Sequence, residues 1–369
     1  MAALLVLWAH AAEIFAQLGL GYVGIAQVAG LPPTGLWLQE LSHHFDFGRI
    51  GVVVFFATSG FVVPASLTST RFAGLRRFAI SRTFRLFPAF WLSIVPGACA
   101  YYWLWGKSFS LHDLLLNFTM IPEALGAQPA LGLYWTLTTE LVFYALCAAL
   151  FVANLLHRPV ALVVLSVVAG WFFKHYHADP AGLWGVHLSV MLFGALCRHY
   201  VESAPGSSAR TMLGLWVLAY ATGWAMLPFS GVWGMQPGVW EGDAFTTLRT
   251  YATGVVVFTL GVTWLQIRWR PAAWVGRISY SLYLFHPVVL FVSLWLLLRW
   301  APAWMYGHHL SFYMLWVLAV SIVVAAFIYR MVEQPAIRWG KVLSQRVSTA
   351  YLPAPHMVLP LESVAPLKR

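Results

Sequence analysis

Ten long apolar stretches, one after another, decide what this chain can fold into. They run over 1–20, 49–66, 84–105, 134–153, 160–174, 182–198, 211–229, 250–266, 278–299 and 311–330. Crossing about 30 Å of hydrocarbon as a helix takes roughly 17 to 25 apolar residues. Between the stretches stand breakers suited to loops: LPPTG at 31–35, HRP at 157–159, ESAPGSS at 202–208 and WRP at 269–271. With 60% hydrophobic and only 9% charged residues, a soluble domain is excluded. The expected fold is an all-α integral membrane protein, a bundle of about ten transmembrane helices with both termini cytoplasmic.

The charges carry the orientation. With the amino terminus inside, the inner segments hold 17 of the 22 basic residues, from Arg71, Arg76, Arg77, Arg82 and Arg85 to the carboxyl-terminal group. The outer segments keep Arg49, Lys107, Lys174, Arg249 and Arg299, against seven acidic residues (Glu40, Asp46, Asp113, Glu123, Asp179, Glu241 and Asp243). That split follows the positive-inside rule, so the net charge of +10 reports orientation and not nucleic-acid binding. Cys99, Cys147 and Cys197 lie in apolar runs without CxxC or metal-ligand spacing, which indicates neither a disulfide framework nor a metal site. Residues 1–340 read as one transmembrane domain and 341–369 as a cytoplasmic, partly disordered tail. No polar or basic flank precedes the first apolar stretch, so either that helix is only just long enough or the true start lies upstream.

An ionisable residue inside a membrane helix is expensive and is a functional hypothesis by default. His10 and Glu13 lie in the first stretch, Glu140 in the fourth, His187 in the sixth and His286 in the ninth. At 1.5 Å of rise per residue, His10 and His286 sit about 15 and 14 Å from the inner ends of their helices and Glu140 about 9 Å below its outer end. All three are then within about one turn of the midplane and can meet. Each has a structural reading too: a histidine can bond across a helix interface, and Pro287 frees a backbone carbonyl one turn before it. Glu13, one turn from His10, can serve to orient that imidazole. His187 has no supporting motif and reads as structural.

Six segments resemble the acyltransferase-3 family in order and spacing: LLVLWAH at 4–10, GVVVFFATSGFVVP at 51–64, SRTFRLFPAFW at 81–91, YWTLTTELVFYAL at 134–146, GRISYSLYLFHPVV at 276–289 and VEQP at 332–335. The resemblance implies a bacterial inner-membrane enzyme that moves acyl groups, usually acetyl from acetyl-CoA, onto hydroxyls of surface carbohydrates or lipids. It places the family's first-helix histidine on His10, its paired arginines on Arg82 and Arg85, its glutamate on Glu140 and its last histidine on His286. One departure is Val53, where many members carry an acidic or amide residue.

On that reading Arg82 and Arg85 hold the phosphates of acetyl-CoA arriving from the cytoplasm, because guanidinium forks match phosphate oxygens. His10 is the general base for a glycan or lipid-linked sugar hydroxyl. Glu140 orients or positions, and His286 donates to the oxyanion or lines the tunnel. A covalent route through Ser59 stays open beside a packing role for that serine next to Gly60. His43, His44 and Asp46 form an outer-loop cluster that can contact a sugar, bind a metal or simply be solvated. No metal is expected. The competing class is a transporter or flippase, for which ten helices and midplane charges are equally natural.

Overall fold

The computed structural model describes residues 2–16, 34–67, 71–175, 180–226, 244–265, 269–300 and 308–349. The helices are α1 Ala2–Ala16, α2 Trp37–Phe45, α3 Phe47–Val62, α4 Arg71–Tyr101, α5 Leu111–Asn117, α6 Tyr134–Val152 and α7 Pro159–His175. They continue as α8 Pro180–Glu202, α9 Ser208–Met226, α10 Ala244–Thr263, α11 Arg270–Trp300, α12 Leu310–Ile328 and α13 Gln334–Thr349. A π-helical turn, Tyr329–Glu333, joins the last two.

Each expected apolar span coincides with a helix over most of its length; residues 1, 17–20, 227–229 and 266, at the ends of three of them, lie outside the described residues. Among the described residues five segments are long and apolar enough to cross a membrane: Phe47–Ser66, Phe72–Trp105, Tyr134–Val152, Arg270–Trp300 and Leu310–Arg346. Ala2–Ala16 and Pro159–Gly170 are apolar but shorter. Helices α4 and α11 have 31 residues each, about 46 Å of rise, and so outrun the hydrocarbon.

The bundle is organised by α3 and α11. Helix α3 packs on α1, α8 and α10, while α11 packs on α1, α4 and α12, so α1 lies between the two groups. Helix α3 reaches α8 backbone to backbone. A Cβ on Gly60 would stand 1.8 Å from the Met191 carbonyl oxygen, and one on Gly194 would stand 2.0 Å from that of Ala57. Small residues permit this approach, which is how helices gain van der Waals contact in lipid. Val53 is fully buried and packs against Gly254 of α10, so a helix contact occupies the position where the resemblance expects a polar group.

The chain corrects one expectation at its end. Residues 341–349, read from their prolines and charges as the start of an irregular tail, continue helix α13, which lies along α4. The prolines invoked there fall later, in residues 350–369, outside the described residues.

Candidate active site

Helix α4 sorts its arginines by face. Arg76 and Arg77 are exposed, whereas Arg82 and Arg85 share the face that buries Phe78, Leu86, Ala89 and Phe90. Arg82 Nη2 donates to Ser66 Oγ at 2.9 Å, and its guanidinium lies 5.5 Å from the Phe78 ring and 5.3 Å from the Tyr144 ring. Its Nε is buried and has no hydrogen-bond partner among the described residues. Beside it a recess of about 320 Å³ opens between α4 and α6, walled by Phe78, Arg82, Phe87, Leu141 and Tyr144.

Tyr144 links that recess to Glu140, one turn earlier on α6. The Tyr144 hydroxyl donates to Glu140 Oε1 at 2.8 Å, and Ser59 Oγ donates to the same oxygen at 3.1 Å. Glu140 is 5% exposed, and its Oε2 has no partner among the described residues. Arg82 and Arg85 are the cations close enough for their charges to act on it. A second buried carboxylate stands nearby at the end of the π turn: Glu333, 1% exposed, accepts from Ser281 Oγ at 2.6 Å. Tyr280, the residue before Ser281, donates to the Leu86 carbonyl at 2.9 Å and so fastens α11 to α4 next to Arg85.

Further along α11 the two histidines meet. His10 Nδ1 and His286 Nε2 are 3.0 Å apart, with ring centroids at 5.3 Å. Proline at 287 lacks the N–H that would normally bond the Tyr283 carbonyl. His286 Nδ1 takes that place, 2.8 Å from the Tyr283 oxygen and 3.2 Å from that of Leu282. A carbonyl only accepts, so Nδ1 of neutral His286 carries the proton and Nε2 is the acceptor. His10 Nδ1 must therefore donate to it. That leaves His10 Nε2 with a free lone pair, the atom a general base needs. Asp46 and Glu13 are near enough for their charges to act on His10.

A scan of family models matches an acyltransferase domain, the acyltransferase-3 family, over residues 1–327. This chain belongs to the acyltransferase-3 family. Among curated proteins it is similar to Nodulation protein 10 of Rhizobium leguminosarum bv. viciae, 25% identical over 358 residues that cover 87% of this chain and 90% of that protein. It is also similar to Exopolysaccharide production protein ExoZ of Rhizobium meliloti (strain 1021), 31% identical over 142 residues, 36% of this chain and 44% of that protein. No solved structure matches. The protein is therefore a multi-pass membrane acyltransferase, and membership favours the transferase over the transporter class.

Within this acyltransferase-3 chain the structure brings His10 and His286 together but not Glu140, which bonds to Ser59 and Tyr144 and to neither histidine. Glu140 faces α3 and its own helix instead: Tyr134, the first residue of α6, is fully buried and bonded to Ser93 of α4 at 2.8 Å, and one oxygen of Glu140 is taken by Ser59 of α3 and by Tyr144. With both nitrogens engaged, His286 has no N–H left for an oxyanion, and its geometry is that of a group positioning His10. Glu13 pairs with His43 across α1 and α2. Asp46 turns the chain between α2 and α3 at φ +44° and holds Arg49 at 3.3 Å. His187 bonds Tyr251 at 2.7 Å between the rings of Phe56 and Trp135, a satisfied core histidine. Sequence reasoning gave no role to Tyr144 and Glu333. The spacing of Tyr144 one turn after Glu140 was the available signal for the first, and an acid closing an apolar helix for the second.

Proposed function

We propose that this protein is an O-acetyltransferase of the bacterial inner membrane that takes acetyl from acetyl-CoA on the cytoplasmic side and places it on a hydroxyl of a cell-surface carbohydrate or lipid-linked glycan. The name of one relative, an exopolysaccharide production protein, supports a carbohydrate acceptor. The chemistry rests on one observation: the His10–His286 bond that leaves His10 Nε2 free.

His10 Nε2 takes the proton of the acceptor hydroxyl as its oxygen attacks the thioester carbonyl carbon. The resulting imidazolium keeps its Nδ1–H bond to His286, so the ring does not turn away while it holds the proton. Collapse of the tetrahedral species breaks the C–S bond, and the leaving thiolate recovers that proton from His10. Ser59 donates its proton to a carboxylate, which supports direct transfer over a serine-linked intermediate. Arg82 and Arg85 hold the donor's phosphates, and Glu140 positions the arm that connects them to the thioester.

Detergent-purified, monodisperse protein should transfer acetyl from acetyl-CoA to glycan isolated from the producing cells, seen as the added mass of one acetyl group. His10→Ala should abolish transfer, by roughly a hundredfold or more, while leaving acetyl-CoA binding nearly intact. Arg85→Ala should weaken binding, with lysine restoring it only in part. Transfer by His10→Ala near the wild-type rate refutes the mechanism; wild-type protein that never consumes acetyl-CoA refutes the donor.

A further inference from the structure

Glu333 has no part in that scheme, yet its surroundings repeat those of Glu140. Both carboxylates are buried, and in each one oxygen is held by hydroxyl groups: Ser59 and Tyr144 on Glu140, Ser281 on Glu333. In each the other oxygen, Glu140 Oε2 and Glu333 Oε1, is buried without a hydrogen-bond partner among the described residues. Arg85 acts on both by charge and makes no hydrogen bond or ion pair with either. Buried acceptors left open are rare because their desolvation goes uncompensated. Two of them around a guanidinium that makes no hydrogen bond among the described residues call for a ligand that brings two N–H or O–H groups together with a negative charge.

We propose that Glu140 Oε2 and Glu333 Oε1 accept the two amide N–H groups of the donor's pantetheine arm, with Glu333 taking the amide farther from sulfur. This rests on the acyl-CoA reading above. Phosphate oxygens cannot partner these two acceptors, since an ionised phosphate oxygen has no hydrogen to donate. The acceptor sugar is required at His10, and the arm is what joins the phosphates at Arg85 to that point. Its two secondary amides are its N–H donors on either side of short methylene links.

The levels agree. Ser281, which holds Glu333, precedes His286 by five residues on α11, or about 7.5 Å of rise. In an extended arm the farther amide nitrogen lies on the order of 8 Å from the thioester sulfur by standard bond lengths. A thioester at His10 therefore brings that amide to the level of Glu333. The π turn supports the assignment: it ends at Glu333, and such turns recur at functional sites.

The test uses full-length protein in detergent and three acetyl donors: acetyl-CoA, S-acetylpantetheine, which keeps both amides without the nucleotide, and S-acetyl-N-acetylcysteamine, which lacks the farther amide. Glu333→Met should raise KM for the first two on the order of ten- to a hundredfold, as expected for a lost hydrogen bond to a charged group. It should leave KM for the third unchanged and kcat similar throughout. Glu333→Gln keeps an acceptor oxygen, so it should show a smaller, several-fold rise confined to the same two donors, and it carries the comparison should the Met variant fail to fold. Arg85→Ala should affect acetyl-CoA alone. A Glu333 variant that changes KM equally for all three donors, or for none, overturns the subsite, a buried water then being the partner of Oε1. If wild-type protein turns over none of the three, the acyl-CoA reading falls and the subsite with it.

Discussion

His286→Phe tests whether the second histidine sets the chemistry of the first. The ring shape is kept and the fully buried site stays filled, but two bonds vanish: the 3.0 Å contact to His10 Nδ1 and the 2.8 Å contact to the Tyr283 carbonyl. The carbonyl cannot fall back on its helical partner, because residue 287 is proline. Each buried group left open costs about 1–3 kcal/mol, so two give roughly 2–6 kcal/mol, of which the more apolar phenyl ring recovers about 1 kcal/mol. The consequence for rate is separate. Without an acceptor at Nδ1, the His10 proton is no longer kept off Nε2, and a shift of about 1.4–2.8 kcal/mol in tautomer balance lowers the competent fraction on the order of ten- to a hundredfold. Initial rates of acetyl transfer at saturating acetyl-CoA should show that loss in kcat with KM for the donor unchanged. His286→Gln, whose amide oxygen can accept from His10 Nδ1, should recover most of it. A folded Phe variant with wild-type kcat, or a Gln variant as slow as Phe, would show that His286 does not set the His10 tautomer.

Topology reporters placed after residues 75 and 205 should read cytoplasm, and after residues 120 and 240 the outside, as the charge split requires; either pair on the wrong side overturns the ten-span arrangement. Gly60→Ala should lower the unfolding temperature in detergent, because its Cβ meets the Met191 carbonyl at 1.8 Å and overpacking costs about 1–3 kcal/mol or more. Gly132→Ala, where a Cβ has open space, should not, and equal effects would refute the α3–α8 contact. Outside the spans, Asp113 accepts from Ser110 Oγ and the Gln128 amide, and these bonds hold its carboxyl below the usual aspartate range, Ser110 foremost. A lowered native value contributes loop order above the unfolded pKa that is lost as pH falls through the native one. Hydrogen exchange at Gln128 should therefore accelerate on the acid side of the ordinary aspartate pKa, and an Asp113→Asn protein should lose that pH dependence; an unchanged profile contradicts the clamp.

What the sequence makes legible here follows from what the bilayer demands. Apolar length fixes where helices form, so the helices could be read directly, and the sparse ionisable residues within them pointed to His10, Glu140 and His286 as candidates. A count along a helix gives level and not facing. It set His10 and His286 where they can bond, but it could not tell that Glu140 faces Ser59 and Tyr144 and not the histidines. Nothing in a window of apolar residues reveals which neighbour a buried side chain meets. Glu333 was hidden for a related reason: the chain passes from α12 through a π turn into α13 without a loop, and the acid reads as the edge of a span until Ser281 is found on it.

Pro287 shows how a residue can be read correctly and weighed in the wrong direction. In sequence, a proline after a histidine competes with function, since the missing amide explains a kink and with it a polar neighbour. In the structure the freed Tyr283 carbonyl is what His286 Nδ1 donates to, and that bond fixes which nitrogen of His286 faces His10. The break in the backbone ladder is then the cause of the tautomer, and the tautomer is the cause of the free lone pair on His10. A helix with alanine at 287 would return the carbonyl to its own amide and leave His286 to choose between nitrogens. The same residue that interrupts the hydrogen-bond ladder of α11 thereby orients the base, and the two readings of it were never alternatives.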